Sequence, residues 1–302
     1  MSKSNYHITV LLHEAVDALN LTNKEDTVVM DGTLGGGGHT ELLASTITKG
    51  KVISFDKDIN AINYAKKRLS DYNNIKYIND DYVNMDAYIQ NVDGILLDLG
   101  VSSEQLDNPE RGFSFMREGP LDMRMDTNRG MTARDIIESY DEKRLADLLY
   151  NYGEERKSRV IARRIKEAIK NGTVFDTTLK FANFIAGIIH EKHKHPATRS
   201  FLALRIAVNH ELDHLEIAME KAMKLLKSGG RLSIITFHSI EDRIVKQTMA
   251  KWANPCECPP RLPCTCGLKP LGKSLKKMAP SEEEVKNNIR SRSAILRVFE
   301  KF

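Results

Sequence analysis

The first third of the chain alternates short β-rich runs with helix-compatible segments, and this alternation constrains the fold more than any other feature. Four runs are rich in apolar and β-branched residues, at 27–31, 51–56, 75–78 and 92–98. They follow one another at intervals of roughly 20 to 25 residues, and segments 40–48 and 59–70 between them carry helical patterns. This rhythm is typical of βα units, which right-handed crossovers assemble into a doubly wound parallel sheet with its ligand site at the carboxyl ends of the strands.

The same rhythm returns near the end of the chain after a long interruption. From Pro109 to Gly130 the sequence is rich in Gly, Arg, Asp and Met and shows no strand pattern. The later elements, all predicted from apolar periodicity, are helices at 141–170, 178–190, 201–226 and 239–252 and strands at 231–237 and 294–299. Gly229 and Gly230 are predicted to end the third of these helices. We therefore predict an α/β domain formed by residues 1–106 and 212–302, interrupted by a mainly helical insertion, 107–211, that recognises the substrate.

Charge is distributed unevenly over these segments. Of 302 residues, 28% are charged and 41% hydrophobic, a soluble globular composition that excludes disordered, collagenous and disulfide-stabilised chains. The net charge is +4, yet residues 1–106 hold 9 basic and 15 acidic side chains, 107–211 hold 19 and 16, and 212–302 hold 17 and 10. A polyanion would bind the two later segments, although a solvated basic surface without a partner is the alternative. Because no apolar run matches a membrane span and no leader pattern begins the chain, we expect a cytoplasmic protein with no membrane partner.

A glycine-rich loop follows the first strand. Val28 to Asp31 form an apolar run that ends in an acid, and four consecutive glycines, Gly35 to Gly38, open the next helix. Glycines let the backbone approach a ligand closely. The dinucleotide fingerprint G-x-G-x-x-G is not matched, because its sixth position, counted from Gly35, is Thr40. A carboxylate ahead of the glycines repels a pyrophosphate and suits a cationic amino acid. Because S-adenosyl-L-methionine carries an ammonium and a sulfonium and no phosphate, the loop favours it over NAD or ATP.

Acidic side chains also follow the next two strands. Asp56 ends the second strand, where an acid meets ribose hydroxyls in this topology. Asp58 is a weaker candidate, because an acid at that position equally well caps the following helix. Asp80, Asp81 and Tyr82 follow the third strand, and Tyr82 is predicted to stack on adenine while a neighbouring carboxylate accepts a hydrogen bond from its amine.

The fourth strand ends at Asp98, and three polar side chains, Ser102, Ser103 and Gln105, come shortly after it. A carboxylate at this strand end is predicted to emerge beside the methyl donor. A second interpretation remains open, in which Asp98 and Ser102 only satisfy backbone donors of the loop.

Longer motifs are spread over nearly the whole chain. They lie at 7–10, 12–14, 31–39 (DGTLGGGGH), 98–107, 108–114 (NPERGFS), 121–126, 152–155, 205–209, 237–243 (FHSIEDR) and 292–294. At these positions the chain resembles the RsmH (MraW) family of 16S rRNA cytosine N(4)-methyltransferases. The match is far more specific than a shared glycine loop.

The resemblance implies a class I (Rossmann-like) S-adenosyl-L-methionine-dependent methyltransferase domain with a helical insertion. It also implies methyl transfer to the exocyclic N(4) amine of a cytosine, position 1402, at the decoding centre of 16S rRNA in the small (30S) ribosomal subunit. The cofactor contacts that it implies fall on Gly37, Gly38, His39, Asp56, Tyr82, Asp98 and Gln105. Tyr82 departs from the Phe that some members carry, a change that preserves stacking.

The proposed chemistry gives Asp98 a second possible role. The exocyclic amine of cytosine is a poor nucleophile because its lone pair is delocalised into the ring, so the enzyme must align it with the sulfur–methyl bond. We predict that Asp98 accepts a hydrogen bond from this amine, localising the lone pair and later helping the proton to leave. Ser102 or Ser103 would help to place the base. The resemblance equally allows Asp98 to serve only the cofactor.

In a structured RNA the target must be splayed or flipped out and stacked on aromatic or Arg side chains. Arg111, Phe113 and Phe115, in the loop after the fourth strand, are predicted to contact the substrate, together with Arg124. For the two Phe residues the alternative is packing between insertion and core. Further candidate phosphate contacts are Arg129, Arg134, Arg163, Arg164, Lys269, Lys273, Lys276 and Lys277.

All four cysteines of the chain lie within one short segment. Cys256, Cys258, Cys264 and Cys266 form two C-x-C pairs in a stretch, 254–280, that is rich in Pro and Lys and is predicted to be irregular. A reducing compartment disfavours disulfides. A structural zinc site and a loop of reduced thiols both remain open, because the usual zinc knuckle has two residues between its paired cysteines. We assign no metal ligand to the active site.

Three functions compete at this point. The first is an RNA cytosine methyltransferase acting on 16S rRNA as a monomer or homodimer, which the resemblance favours. The second is a DNA or protein amino-methyltransferase, whose Pro-Pro-aromatic signature would occupy the place of Leu99 to Val101. The third is a catalytically silent RNA-binding module, against which the intact set of Asp31, Asp56 and Asp98 argues.

Overall fold

The computed structural model describes residues 9–191, 194–259 and 265–302, and the chain falls into two compact units. The sheet unit comprises the segment up to Gly100 and the segment from His214 onward, and the helical unit comprises Val101–Asp213. The sequence predicts an insertion at 107–211, which leaves out the short helix that follows the fourth strand. In the structure this helix is part of the helical unit.

The helices of the described residues are numbered along the chain. They are α1 (Leu12–Asp17), α2 (Gly38–Thr46), α3 (Ile59–Arg68), α4 (Ser103–Asp107), α5 (Ala133–Ser139), α6 (Glu142–Gly153), α7 (Ser158–Lys170), α8 (Thr178–Ile188), α9 (Thr198–Asn209), α10 (Glu211–Leu225), α11 (Ser239–Ala253) and α12 (Glu282–Asn287). Within the described parts of the chain, none of them is long and apolar enough to cross a membrane.

One sheet organises the sheet unit. Its strands are β1 (Val28–Asp31), β2 (Lys51–Phe55), β3 (Ile75–Ile78), β4 (Val92–Asp98), β5 (Leu226–Thr236), β6 (Gly272–Ser274) and β7 (Ile295–Lys301). They lie in the order β3-β2-β1-β4-β5-β7-β6, in which β1 to β5 are parallel to one another and β7 runs antiparallel to both of its neighbours, β5 and β6. The predicted α/β class is confirmed. The strand order reverses between β1 and β4, which is where a sheet of this kind opens a crevice for a ligand.

Helices cover both faces of this sheet. Ile95 and Leu97 of β4 pack in a cluster with residues of α10 and α11, whereas Leu96 packs with residues of α1 and α2. Successive side chains of a strand point to opposite faces, so a strand with helices on both sides is apolar at every position. This explains the apolar run from Ile95 to Leu97 within β4.

The predicted helix 201–226 is wrong, because the structure divides it into α9 and α10. His210 lies between the two helices in a left-handed conformation, with φ 53°. β5 then begins at Leu226, and Gly229 and Gly230 lie inside it. Val92 of β4 pairs with Leu226 while Gly94 pairs with Arg231, so the glycine pair forms a bulge in the strand and does not end a helix.

The helical unit has its own apolar core. The rings of Phe175 and Phe181 meet edge to face with centroids 5.5 Å apart, and Phe201 lies 5.9 Å from Phe181. α7 is amphipathic, since Ile161, Ala162 and Ile165 are buried in this core, whereas Arg163 and Arg164 are exposed. The helical unit therefore has an apolar core of its own, distinct from the apolar clusters on the sheet.

Asn209, the last residue of α9, ties a loop of the helical unit to that helix. It is 7% exposed. Its Nδ2 donates to the carbonyl oxygens of Met123, at 2.8 Å, and Arg205, at 2.9 Å, and its Oδ1 accepts from the Met125 N–H at 2.8 Å. One buried amide thus satisfies three backbone groups, two of them in a loop without regular structure.

Candidate active site

Asp31, at the end of β1, is an anchor for the glycine loop. Its side chain is fully buried, and its two oxygens accept from Thr40 Oγ1 at 2.7 Å and from the Thr33 N–H at 3.0 Å. Ser54 Oγ lies 2.8 Å from the same Thr40 hydroxyl. Burial raises the pKa of Asp31, while these hydrogen bonds lower it. The Asp31 carboxylate therefore anchors the glycine loop and adds negative electrostatic potential to the site.

The loop itself leaves room for a ligand. Gly37 caps α2 with φ 83°, and a Cβ on Gly38 would lie 1.9 Å from Thr9 Oγ1, so neither position accommodates a side chain without rearrangement. At Gly36 a Cβ would meet no heavy atom within 4 Å. The backbone of the loop is accordingly open on that side, as close approach of a ligand requires.

Asp56, at the end of β2, is a second anchor for the glycine loop. Its Oδ2 accepts from the Gly35 N–H at 2.9 Å, and its Oδ1 accepts from the Asp58 N–H at 2.8 Å. Burial raises the pKa of Asp56 to about 6. Asp58 caps α3 by accepting from the Asn60 N–H at 3.0 Å, which is the alternative considered for that residue.

The raised pKa of Asp56 predicts pH-dependent cofactor binding. We predict that ribose hydroxyls of S-adenosyl-L-methionine donate to the ionised carboxylate, so the affinity for this cofactor should fall as pH decreases through about 6 and the group protonates. Between pH 7 and pH 5 the dissociation constant should rise about tenfold, as the ionised fraction falls. Calorimetric titration over this range measures it. Asp56→Asn should flatten the profile, whereas the exposed control Asp71→Asn should leave it intact, and a flat wild-type profile would contradict the prediction.

The acids after β3 are held in place by basic and aromatic partners. Asp81 lies 2.9 Å from His214 Nδ1 and 3.3 Å from Lys57 Nζ. Burial alone would raise the pKa of Asp81, but the hydrogen bond to His214 and the charge of Lys57 outweigh it and hold the pKa below its usual range. Asp80 accepts from the Tyr88 hydroxyl at 2.9 Å. Tyr82, the predicted adenine-stacking residue, is half-buried at the start of a 3-10 turn.

Asp98, at the end of β4, combines burial with an unsatisfied oxygen. Its N–H donates to Thr33 Oγ1 at 2.6 Å, and its Oδ2 lies 3.6 Å from His39 Nδ1. Its Oδ1 is buried and has no hydrogen-bond partner among the residues that the structure describes. Burial, Asp31 and Glu241 together raise its pKa well above the ordinary value. A cationic or hydrogen-bond-donating ligand would relieve this arrangement.

These observations fit the predicted methyl donor. The unsatisfied Asp98 oxygen and the negative potential of Asp31 suit its positive charges, Asp56 suits its ribose, and the open backbone at Gly36 gives it access. Of the predicted cofactor residues, Asp56 and Asp98 thus lie at the carboxyl ends of β2 and β4, and His39, in the first turn of α2, lies beside Asp98.

Two polar residues of this site carried no functional prediction. Thr33 links the glycine loop to β4 through its hydroxyl. Glu241, at the start of α11, is 2% exposed, accepts from the Phe237 N–H at 2.9 Å and lies 3.0 Å from His238 Nε2. The FHSIEDR motif was the sequence signal for Glu241, whereas nothing in the sequence distinguishes Thr33 from an ordinary loop residue.

The residues predicted just after Asp98 belong to the helical unit, where they form a helix cap. Ser102 Oγ accepts from the Gln105 N–H at 3.2 Å, and Gln105 Oε1 accepts from the Ser102 N–H at 3.1 Å. This capping box begins α4 at Ser103. The contacts correspond to the structural interpretation considered for Ser102.

The predicted substrate residues are engaged inside the helical unit. Arg111 donates to the carbonyl oxygens of Arg124 and Met125, and Arg124 forms a bidentate ion pair with Asp122. Phe113 is 7% exposed in the apolar core. Phe115 packs against Phe201, with ring centroids 4.8 Å apart. These contacts favour the packing alternative for the Phe residues, within the helical unit itself, and a loop-shaping role for the two Arg residues.

Comparison with known proteins agrees with the site. The model of the MraW methylase family matches residues 4–302. A protein named Ribosomal RNA small subunit methyltransferase H from Clostridium botulinum (strain Kyoto / Type A2) is 48% identical over 98% of both chains. Its namesake from Marinomonas sp. (strain MWYL1) is 45% identical over 98% of this chain and 97% of its own.

Among solved structures, a rRNA methylase from Streptococcus thermophilus matches with a TM-score of 0.46 and 16% identity over 98% of both chains, a likeness from which nothing about chemistry follows. The family match and the curated relatives confirm the resemblance drawn from the motifs, and with it S-adenosyl-L-methionine as the methyl donor. This chain belongs to the MraW methylase family.

Proposed function

We propose that this enzyme methylates the exocyclic N(4) amine of a cytosine at the decoding centre of 16S rRNA, within the small (30S) ribosomal subunit. The observation that carries the proposal is Asp98, whose buried oxygen without a partner stands at the end of β4 beside the open glycine loop. The curated relatives, whose name refers to methylation of small subunit ribosomal RNA, support this class of substrate. We further propose that the enzyme acts in the cytoplasm, as a monomer or homodimer.

The cofactor would be held at the carboxyl ends of the strands, and the resemblance implies Gln105 as a further contact. Asp56 would accept from the ribose hydroxyls, Tyr82 would stack on the adenine, and the backbone of Gly37 and Gly38 would line the amino-acid portion. When bound, the cofactor supplies an electrophilic methyl group on a positively charged sulfur. The chain's own contribution is to hold that group and the cytosine amine in line.

Asp98 would act on the amine directly. A carboxylate that accepts a hydrogen bond from the N(4) amine localises the nitrogen lone pair, and after transfer it can take the released proton. Burial, together with the charges of Asp31 and Glu241, raises the pKa of Asp98, which makes it a stronger proton acceptor than an exposed carboxylate. The same negative environment stabilises a cationic donor beside it.

The helical unit would recognise the RNA. It contains a cavity of about 310 Å³, at whose wall the Arg144 guanidinium lies 3.6 Å from the centre of the Tyr140 ring. The polar residues lining this cavity are Tyr140, Arg144, Asp147, Asn151, Tyr152, His210 and Asp213. Arg planes and aromatic rings are the groups on which proteins stack unpaired RNA bases. We therefore propose that the RNA binds at this cavity, whereas Phe113 has a structural role in the core of the helical unit.

Tyr140→Ala should weaken RNA binding through loss of this stacking surface. A single base stacked on an aromatic ring contributes about 1 to 3 kcal/mol, so affinity for small subunit rRNA should fall by roughly fivefold to a hundredfold. Fluorescence anisotropy with labelled rRNA measures the change. Tyr150→Ala is the matched control, because Tyr150 lies on α6, is 59% exposed and does not line the cavity. Equal affinities for the two variants would contradict this assignment.

Methyl-labelled cofactor tests the function itself. The protein is incubated with small subunits, naked 16S rRNA, duplex DNA and ribosomal protein in separate reactions, and the modified product is digested and identified by mass spectrometry. We expect label on N(4) of one cytosine in rRNA. Label confined to DNA or protein would establish an amino-methyltransferase of another substrate class, and label on another rRNA atom would reject the cytosine assignment.

A further inference from the structure

Three thiols converge in the loop between α11 and β6. The Sγ atoms of Cys256, Cys258 and Cys266 all lie within 4.8 Å of one another. The Thr265 N–H donates to Cys258 Sγ at 3.3 Å, which holds the two C-x-C segments together. The fourth cysteine, Cys264, lies outside the described residues, and the site is defined by the other three.

Packing does not explain these thiols. Cysteines that serve a core are among the most buried residues of proteins, yet Cys256 and Cys266 are exposed and Cys258 is half-buried. A disulfide would use two of the three thiols and leave the approach of the third unexplained. A tetrahedral zinc with sulfur bonds of about 2.3 Å places its thiolates about 3.8 Å apart, which small side-chain rotations supply here.

The described parts of the loop have no apolar core of their own. Its two ends are joined where the Leu271 N–H donates to the Trp252 carbonyl at 2.9 Å. In its described parts, 254–259 and 265–271, no large apolar side chain is buried, and Leu268 and Leu271 are about half exposed. A segment without a core is commonly fixed by a metal or a covalent cross-link.

We propose that Cys256, Cys258 and Cys266 bind a structural zinc ion that cross-links the two C-x-C segments of this loop. Each thiol releases its proton to solvent as the thiolate binds, and no oxidant or reductant takes part. Hydrogen bonding from the Thr265 backbone favours the thiolate, since an N–H donor stabilises the charged sulfur. The site lies in a loop that carries no residue assigned to methyl transfer.

Metal analysis of the whole chain tests the proposal. The protein is produced with zinc sulfate in the medium and purified under reducing conditions without chelator or metal-affinity resin. We expect about one zinc per chain. Exchange with cobalt chloride should give the visible absorption of a tetrahedral thiolate site. Removing the zinc should accelerate proteolysis within the loop, a readout that does not depend on activity.

Variants locate the ligands. Cys258→Ser and Cys266→Ser should each lower bound zinc at least about tenfold, because each removes one thiolate. Glu257→Gln is the matched control, since Glu257 is exposed between two of the cysteines and its change should preserve zinc content. The proposal is overturned if the wild-type protein binds neither zinc nor cobalt, if both serine variants retain zinc, or if the anaerobically purified chain contains a disulfide among these residues.

Discussion

Replacing Asp98 by Asn is expected to lower the methyl transfer rate by roughly a hundredfold to ten-thousandfold, the usual contribution of a positioned proton acceptor. Asn keeps the size of the side chain and its carbonyl oxygen, but it cannot take the proton of the amine. Single-turnover kinetics at saturating cofactor and rRNA isolate this step. A variant that kept full turnover and only required more cofactor would assign Asp98 to cofactor binding alone.

Stability provides the control for Asp98→Asn. Because the pKa of Asp98 is raised in the folded protein, its favourable contribution exists below the unfolded pKa and is lost as pH rises through the folded value. At neutral pH the charged form is therefore unfavourable beside Asp31 and Glu241. Asn removes that charge, so the free energy of unfolding in urea should be unchanged or higher. Lost activity with retained stability would separate a chemical role from a folding role.

The largest stability effect is expected for Asn209→Ala. The substitution leaves one N–H and two carbonyl groups without their side-chain partner. Each buried group deprived of a partner costs about 1 to 3 kcal/mol, and with partial relaxation we expect a loss of about 3 kcal/mol in the unfolding free energy. Urea denaturation followed by circular dichroism measures this value.

Asn128→Ala is the matched control for Asn209→Ala. Asn128 is exposed in the same unit, and an exposed substitution of this kind changes stability by about 0.5 kcal/mol or less. If both Asn variants unfolded at the same urea concentration, the three hydrogen bonds of Asn209 would not hold the loop. Hydrogen exchange at the amide of Met125 would show the same difference locally.

The central strands were the most predictable elements of the fold. The structure places the central strand β4 at the predicted 92–98, where Ile95 to Leu97 are buried on both faces of the sheet. The edge strand β3 also lies at the predicted 75–78, although its Lys76 is exposed. The break at His210 was not predictable, since apolar periodicity continues across it and only the left-handed backbone interrupts the helix. β6 was missed because three edge residues without an apolar pattern carry no signal.

In the candidate site, the residue types were easier to predict from the sequence than the contacts that these residues make. The sequence predicted Asp56 and Asp98 as site residues from their places at strand ends, because topology alone brings the carboxyl ends of neighbouring parallel strands together. The partners of these acids depend on long-range contacts, such as the Thr33 hydroxyl that meets the Asp98 N–H. For Phe113, an aromatic residue in a polar loop had suggested base stacking, but its burial follows from the core of the helical unit, which local sequence does not reveal.

The interrupted order of the sheet has a consequence for biosynthesis. β4 ends at Asp98, but its neighbour β5 begins only at Leu226, and the intervening helical unit is continuous along the chain. During translation this unit can emerge and collapse around its local contacts while the half-built sheet still exposes the edge of β4. Sheet closure then waits for the C-terminal strands, which makes long-range pairing the slow step of folding and the nascent β4 edge its point of vulnerability to aggregation.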